Sequence, residues 1–294
     1  MRAGAHHSSV AQPGGLPAGG GPVRRLRGGE CDRVGFVGER RQYAPGTFSW
    51  TDLATPDPDA AKRFYGALFG WQAEDVPVPG GGYYSMQRVD GKDVAAIAPQ
   101  PQAQRDAGAP PAWQSYITVA RADSAAERAG ELGGTVHAPA FDVMEAGRMA
   151  VIQDPQRAFF MVWEPKSHIG AGLVNAPGAL CWNERAAADL DSAPDFYGQL
   201  FGWKTEPYEG GPMRYLTIKN GQATNGGMRE KQPQEPPYWL VYFAVDDVEA
   251  ALAKIEGLGG NAIAGPSELA MAKIAIVQDP QGAVFALYAG QLEP

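Results

Sequence analysis

The chain is poor in the side chains that most metal and thiol chemistry uses. Among 294 residues there are two cysteines and four histidines, and no apolar run approaches the length of a membrane span. Cys31 lies in the opening stretch and Cys181 in an alternating segment, so no disulfide framework is expected and a reducing, cytoplasmic setting fits. A spanning helix needs about 20 apolar residues, which excludes a helical membrane protein. His6 and His7 sit in the opening stretch, which leaves His137 and His168 in unrelated contexts. Positive charge is scarce as well. The net charge is −8, and residues 1–36 carry +3, so the body holds −11. An acidic body does not meet the phosphate backbone, and no nucleic-acid partner is expected.

Residues 1–36 contain nine glycines, three prolines and the cluster Arg24-Arg25-Leu26-Arg27, without apolar periodicity. That composition does not bury enough surface to offset ordering entropy, so a disordered extension over residues 1–46 is expected. It has no apolar core of a secretory signal. The change in composition near Val37 marks that residue as a candidate alternative start, with residues 1–36 dispensable.

What the chain does have is a repeat. Asp57-Pro58-Asp59 with Phe64-Tyr65-Gly66-Ala67-Leu68-Phe69-Gly70-Trp71 returns as Asp189-Leu190-Asp191 with Phe196-Tyr197-Gly198-Gln199-Leu200-Phe201-Gly202-Trp203. Trp113–Val119 answers Trp239–Val245, Leu132-Gly133-Gly134 answers Leu258-Gly259-Gly260, and Gln153-Asp154-Pro155-Gln156 answers Gln278-Asp279-Pro280-Gln281. Landmarks recurring in order at near-constant spacing mean two copies of one folding unit. Each copy opens on an alternating segment, Phe48–Leu53 or Leu180–Glu184. A helix follows, with Asp57 and Asp189 expected as N-caps and Gly70 as its stop. After further strands and a Pro-rich joint the pattern starts again, so each copy reads as two β-α-β-β-β modules. The glycine-rich loops 77–82 and 207–212 read as connectors, because no helix follows them to form a phosphate cradle.

The run Phe-Tyr-Gly-x-Leu-Phe-Gly-Trp after Asp-x-Asp, closed by Gln-Asp-Pro-Gln, resembles the vicinal oxygen chelate superfamily of glyoxalases, bleomycin-resistance proteins and extradiol dioxygenases. The resemblance covers residues 46–290. It implies an α+β fold of two tandem domains, 47–165 and 178–290, joined by a linker 166–177. Each would pair two βαβββ modules into a curved sheet cup that holds a small molecule. The family's metal ligands lie on three strands, and the resemblance places Trp50, Gln114 and Met161 there in the first copy and Trp182, Leu240 and Ala286 in the second. None is a usual ligand for a divalent transition metal, so no metal and no cofactor are expected.

Strand alternation puts Asp52 on the face of Trp50, and Glu184 on that of Trp182. Arg148 and Lys273 each precede the Asp-Pro by six residues. The recurring carboxylate and cation read either as a structural salt bridge, Asp52 with Arg148, or as a polar anchor for a ligand. Trp71 and Trp203 read as core, and Trp50 and Trp182 as cavity lining. Two function classes remain. One is a metal-independent binder of a hydrophobic or aromatic molecule, contacted by Trp50, Asp52, Gln114, Arg148, Met161, Trp182, Glu184, Leu240 and Lys273. The other is an enzyme of lyase, hydroxylase or dioxygenase type with Asp52 or Glu184 as acid–base group. An enzyme needs one of these carboxylates unpaired and reachable. The internal repeat suggests a monomer built as a pseudo-dimer, or a weak homodimer.

Overall fold

The computed structural model describes residues 38–292 except 80, 211–212 and 270–271; the expectations for residues 1–37 lie outside the described residues, whereas residues 38–46, expected to be disordered with them, are hydrogen-bonded to the body through Arg40, Tyr43 and Gly46. The first half runs β1 (Phe48–Thr55), α1 (Pro58–Phe69), β2 (Gln72–Pro77), β3 (Tyr83–Val89), β4 (Lys92–Pro99), α2 (Gln102–Asp106), β5 (Ala112–Thr118), α3 (Ala122–Glu131), β6 (Thr135–Val143), β7 (Gly147–Gln153) and β8 (Phe159–Pro165). The second runs β9 (Leu180–Ala187), α4 (Ala193–Phe201), β10 (Lys204–Pro207), β11 (Tyr215–Asn220), β12 (Ala223–Glu230), β13 (Tyr238–Ala244), α5 (Val248–Gly257), β14 (Asn261–Leu269), β15 (Ala272–Gln278) and β16 (Val284–Gly290). Among the described residues no helix is long and apolar enough to cross a membrane.

Each half forms one open eight-stranded mixed sheet, in the orders β2-β3-β4-β1-β5-β8-β7-β6 and β10-β11-β12-β9-β13-β16-β15-β14. The fold class is therefore the expected one: α+β, two tandem domains, two βαβββ modules each. The modules of a half meet through the antiparallel pairs β1·β5 and β9·β13. The strands β2 and β10, directly after the first helix of each half, are the first of the three that each βαβββ module expects there; the sequence reading located only the later two. Their mixed and exposed side chains give no clean alternation.

Local signals set the helix ends. Asp57 accepts from Ala60 N at 2.9 Å, Pro58 opens α1, and Gly70 closes it at φ 76°. Asp189 does not repeat that role. Helix α4 starts only at Ala193 behind Ser192, and Asp189 instead accepts from Asp191 N and Ser192 Oγ in the preceding turn. Pro194 explains the delay, since it has no N–H to donate to the carbonyl of residue 190 and so belongs to the first turn of a helix.

The helix layer is shared between halves. Phe64, Tyr65, Leu68 and Trp71 of the first half bury against Val241, Phe243, Ile255, Phe285 and Leu287 of the second. Phe48, Ile117, Phe160 and Val162 bury against Phe196, Tyr197, Trp203 and Trp239. The first module therefore shares a sheet with the second and a core with the fourth. Trp71 Nε1 donates to Gly178 O at 2.7 Å, and Trp203 Nε1 to Gly46 O at 2.7 Å. Both side chains are core, as expected. The opposite face of each sheet is free of helices and forms the candidate cup.

Candidate functional site

Strand pairing brings the expected positions together. In the first sheet Trp50 lies opposite Tyr116, Asp52 opposite Gln114, and Tyr116 beside Met161. In the second, Trp182 lies opposite Tyr242, Glu184 opposite Leu240, and Tyr242 beside Ala286. Trp50, Tyr116, Met161 and Trp163 form one cluster on the cup face; Leu240, Tyr242 and Ala286, with Trp182 against them, form the other. Trp113 and Trp239, three residues before these tyrosines, face the helices instead.

Arg148 and Lys273 lie outside the cups. Along β7, Met149 and Val151 face the cup while Ala150 and Ile152 face the helices, so Arg148 falls on the helix face. It pairs with Asp123 and Asp142, not with Asp52. Along β15, Ile274 and Ile276 face the cup and Ala275 and Val277 the helices. Lys273 accordingly pairs with Glu249 and Glu268. Six residues before a helix-facing Asp is an even step, which returns to the helix face.

Each cup floor repeats one hydrogen-bond chain. Trp50 Nε1 donates to Tyr84 Oη at 2.9 Å, and Tyr84 and Tyr116 donate to Asp52 Oδ2 at 2.9 and 2.7 Å. In the second cup Trp182 Nε1 donates to Tyr215 Oη at 2.9 Å, and Tyr215 and Tyr242 both hydrogen-bond Glu184. Burial pushes the Asp52 carboxyl up to about 6, against the pull of its two tyrosines. Burial and then the Asp52 charge hold Tyr84 and Tyr116 well above the usual phenol range, so both remain donors.

The cups differ in charge. Arg229 Nε donates to Glu184 Oε1 at 2.7 Å, and its terminal nitrogens reach Glu235 at 2.7 and 3.0 Å. Asp52 pairs across to Ala96 and Glu184 to Gly227, so Ala98 stands where Arg229 stands. Asp52 has two phenols and no guanidinium. Sequence reasoning missed Arg229 and Glu235; the signal was an arginine directly after Gly226-Gly227-Met228, matched by Ala98 in the other copy.

They differ in exposure too. Trp50 is 3% exposed, and Tyr116, Met161 and Trp163 are buried. On the second cup face the matched Trp182 and Tyr288 are only partly buried, while Ile274 and Ile276 are partly buried just as Met149 and Val151 are in the first. As metal donors, Trp50, Gln114 and Met161 offer an amide and a thioether, and Trp182, Leu240 and Ala286 offer nothing. Among the described residues no group of three His, Cys, Asp or Glu converges. This donor set does not fit a divalent transition metal.

A family model for the Glyoxalase/Bleomycin resistance protein/Dioxygenase superfamily matches residues 47–162 and again 182–287. The chain belongs to this superfamily. It is 44% identical over 253 residues to a protein named "Putative glyoxylase CFP32" from Mycobacterium tuberculosis, covering 85% of this chain and 97% of that one. It is 33% identical over 264 residues to "Anthracycline biosynthesis protein DnrV" from Streptomyces peucetius, covering 84% and 94%. Among solved structures, the Mn(II)-bound glyoxalase from Novosphingobium aromaticivorans superposes with a TM-score of 0.60 at 13% identity, over 83% of this chain and 82% of that one. The 2,3-dioxygenase LapB from Pseudomonas sp. KL28 gives 0.58 at 13%, over 85% and 95%. At that identity the likeness shows the fold.

Proposed function

We propose that this glyoxalase-superfamily chain is a metal-independent binder of a small hydrophobic or aromatic molecule. The observation that carries the reading is the second cup face, where Trp182, Tyr238, Ile274, Ile276, Val284 and Tyr288 stand partly open around a buried ion-pair network. Binding sites combine an apolar wall with a few placed polar groups in this way. The positions that the family resemblance assigns to metal ligands carry indole, amide, thioether and aliphatic side chains here. A relative named for anthracycline biosynthesis is consistent with a flat aromatic ligand.

Thermal unfolding with a panel of aromatic compounds, with and without a chelator, tests the reading. A ligand at one hundred times its Kd stabilises the fold by about 2.7 kcal/mol, a shift of roughly 5 °C or more for a chain of this size. The expected shift is the same with chelator present. A shift abolished by chelator and restored by one equivalent of metal would overturn metal independence.

One observation favours an acid–base enzyme as second reading. Asp52 has no cation beside it and titrates near neutrality, as a general acid or base requires. Binding is preferred because Asp52 is 7% exposed beneath Tyr84 and Tyr116 and faces no nucleophile. Glu184 is a weaker candidate, since it is already paired with Arg229 at 2.7 Å.

A further inference from the structure

The two cups have the same floor but not the same cover. The chain after β8 turns back across the first cup. Lys166 N and His168 N donate to Ala146 O at 3.0 Å, and Trp163 Nε1 donates to His168 O at 2.9 Å. Further on, Ala171 N donates to Ser49 O at 2.7 Å and Gly172 N to Asp93 O at 2.8 Å, so the segment is laid between β1 and β4. Gly170 makes that approach possible: at φ 107°, a Cβ there would lie 2.4 Å from Ser49 O. Residues 38–43 fasten the segment from outside, with Tyr43 Oη on Ala171 O at 2.7 Å and Arg40 N on Gly172 O at 3.0 Å.

The side chains of this strap are the cup's contents. The His168 ring stands edge-on to the Trp50 indole, with centroids 4.6 Å apart and planes at 86°. Ala171 and Val174 complete the cluster with Trp50, Tyr116, Met161 and Trp163. The second cluster is made of residues from β9, β13, β15 and β16 alone, and among the described residues no segment is hydrogen-bonded across it as the linker is across the first. The Tyr208 ring of the loop after β10 stands on Tyr215, with centroids 6.0 Å apart, and Trp182 remains partly exposed where Trp50 has a ring against it.

We infer that the linker is the built-in occupant of the first cup, and that the second cup takes the aromatic ring of a neutral or cationic small molecule on Trp182, in the place that His168 holds on Trp50. The first cup supplies the template: a planar ring against the indole, with small aliphatic groups beside it. Charge narrows the class. The floor of the second cup sets two carboxylates, Glu184 and Glu235, against the one guanidinium of Arg229, all already paired with each other. Among the described residues of this floor no cation is left over for an anionic ligand, and like charge opposes it. This inference rests on the binding reading above and adds the site and the ligand class.

Fluorescence titration of the full chain with neutral N-phenylnaphthylamine, beside the negatively charged anilinonaphthalene sulfonate, tests it. One probe site per chain is expected. Trp182→Ala should weaken binding tenfold or more, and Val284→Trp, which fills the cup from β16, two strands away, should do the same. Met86→Ala, on the first cup face, should leave affinity unchanged. The sulfonate should bind at least tenfold more weakly than the neutral probe. Circular dichroism confirms that each variant is folded, and Val284→Trp decides the matter if Trp182→Ala is not. Two sites per chain, or a loss caused by Met86→Ala with Val284→Trp unaffected, would overturn the inference and leave the binding reading standing. A sulfonate that binds as tightly as the neutral probe would overturn the ligand class. No binding of either probe to the unaltered chain would count against both.

Discussion

Tyr65 in the first half donates its hydroxyl to Asp279 in the second, at 3.1 Å across 214 residues of sequence. The relation is reciprocal, for Tyr197 in the second half donates to Asp154 in the first at 2.8 Å. Each tyrosine also accepts an indole N–H, from Trp113 or Trp239, at 3.0 Å. Gln281 reaches across to Asp57 O and Gln156 to Asp189 O, both beside the first helix of the other half. The Asp-Pro-Gln motif of each copy thus acts on the opposite copy.

From this clasp, Tyr65→Phe and Tyr197→Phe are each expected to destabilise the chain by about 1–3 kcal/mol, because a buried indole N–H and a buried carboxylate lose a partner together. Residues 38–165 produced alone should not fold, since Tyr65, Phe69 and Trp71 pack on Phe243 and Phe285 of the other half. Urea unfolding measures the first expectation and circular dichroism of the fragment the second. A fragment with a cooperative melt would show that the shared helix layer is not needed.

Arg229→Ala gives the second cup an alanine at the position that Ala98 holds in the first. It strips a buried carboxylate of its cation, which typically costs about 3–5 kcal/mol. The loss should be smaller in a Glu184→Gln background, where no carboxylate is left without its cation. Urea unfolding of the single and double variants checks both. An equal loss in the two backgrounds would mean that the guanidinium acts by packing, with no part for its charge.

How much of this was legible before the fold was seen depends on whether the information is local. Period-two alternation placed Trp50 with Asp52, and Trp182 with Glu184, on one face each, and the repeat gave the four modules. The alignment that set Gln114 and Met161 beside them agrees with the strand register. Arg148 was misplaced because a matched spacing was followed without counting its parity along the strand. The strap was invisible for a different reason. Nothing in the sequence of 166–174 says that it folds back, and only the gap between β1 and β4 gives Ala171 and Gly172 their partners. The clasp between halves was equally out of reach, because the repeat shows that two motifs match and not which copy each one touches.

Asp52 gives stability a pH dependence of its own. Its folded pKa of about 6 lies above the ~3.9 of an unfolded aspartate. Between those values the folded chain holds the extra proton, so this contribution falls as pH rises from about 4 and is fully lost above about 6. Asp52→Asn removes the titration. At pH 7 the variant should be more stable than its parent, by up to about 3 kcal/mol for a two-unit shift, and at pH 4 the two should be alike. Chemical unfolding from pH 4 to pH 8 measures it. A parent and variant whose stability difference stays constant over that range would place the Asp52 pKa near its ordinary value.

The two tryptophans should answer truncation differently, although the sequence treats them alike. Trp50 is 3% exposed, lies against His168 and donates to Tyr84. Removing it empties the space under the strap and leaves Tyr84 without a donor, so Trp50→Ala should cost about 3–5 kcal/mol, as for a buried tryptophan. Trp182 makes the same hydrogen bond to Tyr215 but is partly open on its outer face. Only the covered part of its surface is lost on truncation, and burial stabilises by about 25 cal/mol per Å². Trp182→Ala should therefore cost clearly less than Trp50→Ala. Paired urea titrations of the two variants decide it. Equal costs would mean that the second floor is as tightly packed as the first, and the difference in cover between the cups would then carry no energetic weight.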